Sequence, residues 1–196
     1  MGDPKQEDID EIDCLNVKDW IQIGGFLIAS QLTIIALIWQ ARPSRGIFTI
    51  TILLMISFTF FVNSIFSNSK AHHLIKKKEK LELDENQKKN LQRILHRVVN
   101  FGYTTFNIGY TFTLIGFTIL AYRYMIDFIG TILAVVFLPV IFIGTTWILL
   151  VIYTIAKSPG NVISELFEFR KAVSILLELA CLIVIILDYL GTITII

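Results

Sequence analysis

Apolar positions in this chain gather into long runs, separated by short stretches of charge or turn-forming residues. Four runs, Trp20–Trp39, Ile47–Phe66, Phe101–Tyr122 and Phe128–Ala156, contain no charged side chain. A helix needs about 20 apolar residues to cross a hydrocarbon core, and each run supplies them. A fifth run, from Ala172 to Tyr189, is broken mainly by Ser174, Glu178 and Asp188. None of the five alternates apolar and polar positions, and lipid offers a backbone no hydrogen-bond partner, so helices are predicted rather than barrel strands. The expected fold is all-α: a polytopic membrane protein with four to five transmembrane helices.

The links between runs refine this picture. Between the second and third runs, Asp84-Glu85-Asn86-Gln87 has the form of a helix start, with Asp84 as N-cap and Gln87 three residues on. The second span then extends inward to about Glu82, and a returning helix carries Leu91, Ile94, Leu95 and Val98 on one face. A helical hairpin is expected there. Ala41–Gly46 and Arg123–Asp127 are predicted as tight links, the latter with an ion pair between residues four apart. Pro139, near the middle of the fourth run, predicts a kink. The resulting layout is an acidic tail (1–19), a first transmembrane hairpin (20–69), the helical hairpin (70–99), a second transmembrane hairpin (100–157), and a last segment (158–196). That last segment is amphipathic at first and then forms the fifth span.

Composition agrees: 55% of the 196 residues are hydrophobic and the mean hydropathy is +0.69. A net charge of +1 says little as a total, whereas its distribution says much. The Lys70–Arg97 segment holds nine Lys or Arg residues. If it is cytoplasmic, that side collects 14 basic residues against 3 on the other, a positive-inside signal that puts the N-terminus in the cytoplasm and predicts a multi-pass protein of the cell membrane. Anionic lipid headgroups are the expected partners of the basic segment. The first 19 residues carry seven acids and no signal-peptide pattern.

Small residues mark where helices approach closely. Gly102, Gly109 and Gly116 recur every seven residues, and Gly25 and Ala29 have a small-xxx-small spacing. These are the expected packing positions, within one chain or in a homo-oligomer or larger membrane complex.

Chemistry concentrates in the last run. Glu178 and Asp188 are the acids within the spans, and a carboxylate at a helix centre costs about 2.5–3.5 kcal/mol on insertion scales. Asn161, Ser164, Glu168, Lys171, Ser174, Glu178, Cys181 and Asp188 follow at steps of three or four, apart from the apolar Ile185, and so form one polar seam. Pro159-Gly160 is expected to start this helix afresh. Ser174, Glu178 and Asp188 are therefore the candidate ion-pathway residues, with Glu178 the principal charge and Asp188 at the mouth.

Other chemistry is missing. Only Cys14 and Cys181 are present, which excludes a disulfide framework and a four-thiolate zinc site. No phosphate-binding glycine loop, metalloprotease motif, serine elbow or potassium filter occurs, and the basic segment lacks the interleaved aromatics of nucleic-acid binders. The sequence thus predicts no catalysis, no cofactor, no metal and no nucleic-acid partner. It leaves two expectations: a small oligomeric channel or transporter for cations or protons, or a noncatalytic scaffold or accessory subunit presenting its basic hairpin to partners.

Overall fold

The computed structural model describes residues 14–41, 45–80, 84–157 and 169–196. The described residues form five helices: α1 (Cys14–Ala41), α2 (Ile47–Lys80), α3 (Glu85–Ile129), α4 (Ala134–Lys157) and α5 (Phe169–Tyr189). All five are long and apolar enough to cross a membrane. Their outward surfaces make the same point: Phe26, Phe66 and Ile141 are each more than 60% exposed, an arrangement that suits a hydrocarbon solvent and not water. The described residues are those of an all-helical architecture, and five candidate spans are compatible with a multi-pass membrane protein.

Several boundaries differ from the sequence reading. The predicted link at Arg123–Asp127 is helical, and α3 runs on to Ile129. It stops where Gly130 takes a φ of +84° while donating its N–H to the Ile126 carbonyl, the left-handed helix end that glycine adopts without strain. Phe128 and Ile129 consequently belong to α3, and the fourth span shortens to the 24 residues of α4, with Pro139 in its second turn instead of at its middle. Arg123, freed from a loop, turns its guanidinium to Asp188. Asp84 does cap α3, accepting the Gln87 N–H at 2.7 Å. The acidic tail up to residue 13, Pro43, the break near Leu83, Pro159-Gly160, Asn161, Ser164 and Glu168 lie outside the described residues.

The chain divides into two compact units. The first contains the chain up to Gln31 together with Phe58–Phe106. Its core is Val17, Ala71, Ile75, Leu95 and Val99. Trp20 meets Tyr103 and Phe106 edge to face, with ring centroids 5.3 and 4.7 Å apart. Within this unit α2 and α3 run antiparallel at close range: Ser64 donates to the Gly102 carbonyl at 2.9 Å and Ser67 to the Val98 carbonyl at 2.6 Å. Bonds of this type between membrane helices contribute about 0.6 kcal/mol each. A Cβ on Gly102 would lie 3.1 Å from Asn68 Oδ1, so the missing side chain is what permits the approach. On α1 the close approach falls at Gly24, whose added Cβ would sit 2.9 Å from Ile65. The spacing reading had placed it at Gly25, but Gly25 has nothing within 4 Å and Ala29 is exposed, because a one-residue step rotates a helix face by 100°.

The second unit contains Leu32–Ser57 and Asn107–Ile196. Ile38, Ile50, Leu54, Ile115, Ile119, Tyr122, Val135, Cys181, Ile185 and Ile195 form its core. Gly116 lets Leu54 approach to 3.1 Å of where its Cβ would be, and the Gly109 carbonyl accepts the Ser57 hydroxyl. Gly109 and Gly116 of the predicted heptad thus face α2 in this unit, and Gly102 faces it in the first.

Candidate functional site

The buried face of α5 coincides with the predicted seam. Glu178, Cys181 and Ile185 are each buried, Ser174 is half-buried, and the Asp188 side chain is 5% exposed. Spacing alone identified this line because a helix carries positions three and four apart on one face. The Ser174, Glu178 and Asp188 side chains each meet a partner in the second unit that spacing could not name.

Ser174 accepts the Thr111 hydroxyl of α3 at 2.9 Å. Glu178 accepts the indole N–H of Trp147, from α4, which packs against α5. That donor is neutral. Between Ala134 and Ile152, α4 carries no ionisable side chain, and between Arg97 and Tyr122, α3 carries only tyrosines. A carboxylate has two oxygens and about four lone-pair sites, and the indole fills one of them.

Asp188 stands ten residues further on, about 15 Å along the helix. Arg123 Nη2 donates to its Oδ1 at 2.6 Å, the Tyr122 hydroxyl donates to its Oδ2 at 2.8 Å, and the Ile195 N–H donates to Oδ1 at 2.8 Å. The same Arg123 nitrogen donates to the Ile195 carbonyl at 3.0 Å. Arg123 and Asp188 are therefore a buried ion pair with both carboxylate oxygens engaged, held by a tail that turns back after α5. That tail continues to α2, where the Thr49 N–H donates to the Ile196 oxygen at 2.9 Å. Gly46 completes the arrangement: with a φ of +84°, it sits where a Cβ would be 3.0 Å from the Arg123 side chain.

The sequence reading thus located Glu178, Asp188 and Ser174 and missed Trp147, Tyr122 and Arg123. Arg123 gave only a partial signal, since a cation beside apolar runs calls for an acid without saying which one. Trp147 gave none, because an aromatic in a span looks like a lipid-facing residue. Two apolar hollows of about 370 and 540 Å³ share Phe117, Leu120 and Tyr124, and neither is lined by a seam residue. No group of three or more His, Cys, Asp or Glu able to hold a metal occurs among the described residues. The chain matches no family model, no curated protein and no solved structure.

Proposed function

We propose that this protein is a small membrane channel or transporter for protons or cations, with Glu178 as the group that takes up and releases the transported charge. The observation that carries this reading is a buried carboxyl on an apolar helix whose described partner is one neutral indole. Such a group is costly in a bilayer and calls for a role. Ser174 extends the pathway one turn along the seam. Asp188, engaged by Arg123, Tyr122 and the tail, serves in this proposal as a fixed staple at the mouth rather than a free charge. Because the seam faces into its own unit, this proposal runs the pathway within a single chain. Assembly into an oligomer remains part of the reading, and Gly25, exposed on α1 with nothing within 4 Å of an added Cβ, is where it places a neighbouring helix.

In the same proposal the N-terminus and the link between α2 and α3 face the cytoplasm, following the basic-residue asymmetry, and the protein resides in the cell membrane. The test is flux in reconstituted liposomes. A proton or cation flux that disappears in Glu178→Gln supports the reading, and its absence from an intact, folded protein overturns it.

A second reading is supported by a separate observation. Lys70, Lys76, Lys77, Lys88, Lys89, Arg93 and Arg97 are all exposed, and they form a basic surface suited to anionic lipid headgroups or an acidic partner. A noncatalytic scaffold or accessory subunit would use that surface. Loss of a co-purifying partner on exchanging these residues for Gln, with flux unaffected, would favour it.

A further inference from the structure

We propose that Glu178 is a proton-binding site, reactive toward membrane-permeant carbodiimides, and not a site for a metal cation. This inference rests on the reading of Glu178 as the exchanging group and specifies what it exchanges. Four observations lead to it.

Glu178 is 5% exposed and lies at the middle of α5. An ionised carboxylate in such a place needs a cation or several donors, since desolvation of the isolated charge costs several kcal/mol or more. The nearest basic residue on its own helix is Lys171, seven residues and about 10 Å away along the axis, and Arg123 is committed to Asp188. Trp147 contributes one neutral N–H.

Among the described residues, the seam beside Glu178 also offers few ligands for a cation. Hard cations are held by a shell of oxygens, commonly six or more. Along the seam, one turn to either side of Glu178, stand Ser174, which accepts Thr111, and the buried thiol of Cys181. A thiol is a poor ligand for sodium, potassium or calcium. A proton needs no such shell: it bonds to one carboxyl oxygen, while the other keeps the indole bond. Among the described residues, the ionisable groups nearest Glu178 along α5 are Cys181 and Lys171, and α4 carries none as far as Ile152.

A protonated carboxyl in an apolar setting reacts with dicyclohexylcarbodiimide. The carboxyl proton passes to one carbodiimide nitrogen and the carboxyl oxygen adds to the central carbon, giving an O-acylisourea. Acyl transfer to nitrogen then yields a stable N-acylurea. Nothing leaves, so the protein gains the mass of the whole reagent. Asp188 is an internal control on the same helix, because its carboxylate is held by Arg123.

The experiment treats the full-length protein in liposomes with the carbodiimide, with and without sodium, and maps the adduct by peptide mass spectrometry. The expected result is one adduct within α5, on Glu178, absent from a folded Glu178→Gln variant and formed equally with sodium present. Trp147→Phe, which removes the neutral donor, should leave the adduct in place. An unmodified Glu178, an adduct on Asp188 instead, or protection of Glu178 by sodium would each overturn the proposal. The readout is independent of transport. Labelling without flux retains the proton site and removes the transport reading, whereas flux with sodium-protected labelling retains transport and removes the proton site.

Discussion

Glu178 and Asp188 are the same chemistry, on one helix and one face, in opposite circumstances. Asp188 has both oxygens engaged by a guanidinium, a phenol and a backbone N–H. Glu178 has one bond from an indole. The number and charge of the donors, rather than burial or sequence context, distinguish them: three donors, one of them cationic, hold Asp188, and one neutral donor is described for Glu178. Burial alone would have ranked them equally.

The comparison breaks most severely at the ion pair. Arg123→Ala leaves a buried carboxylate without its cation and is expected to destabilise the second unit by about 3–5 kcal/mol, measured by thermal or denaturant unfolding in detergent. The double variant Arg123→Ala with Asp188→Ala should recover part of that loss. If it does not, the pair is not the staple described here.

The next effect tests whether a close contact is as demanding as a charge. Gly102→Leu drives a side chain into Asn68 at the α2–α3 contact, and overpacking of this kind costs about 1–3 kcal/mol or prevents folding. Size-exclusion profiles and unfolding midpoints would show it. Asp84→Ala removes the cap on α3 and should cost about 1 kcal/mol, visible as faster amide exchange near Gln87. Smaller again, Ser174→Ala deletes one interhelical bond, worth about 0.6 kcal/mol by the same unfolding assay.

The sharpest contrast is the smallest in stability. Glu178→Gln keeps the shape and an acceptor for Trp147, so its unfolding midpoint should stay within about 1 kcal/mol of the parent's, while Asp188→Asn loses most of the ion pair and should not. Equal losses in the two variants would erase the distinction between the acids.

The helices could be read from the sequence because lipid imposes one rule everywhere: a run of apolar residues must be helical. The seam could be read because a period near 3.5 needs no tertiary knowledge. What could not be read depends on residues far away in the chain. Arg123 and Asp127 resemble loop charges until Asp188, 65 residues on from Arg123, provides a partner that keeps the first inside a helix. Gly24 and Gly25 are indistinguishable in sequence, and Ile65 decides which of them is packed. Gly130, by contrast, did offer a helix-end signal, overlooked because the apolar run continues through it.

The tail after α5 has a consequence for biosynthesis. Thr49 lies in α2, yet its hydroxyl and N–H both bond to Ile196, 147 residues later. At about 5–20 residues per second, α2 waits on the order of ten seconds for that contact. Arg123 waits for Asp188 in the same interval. A chain cut back before Asp188 therefore carries Arg123 without this partner, and is expected to lose the staple of the second unit although α1 to α4 are all present.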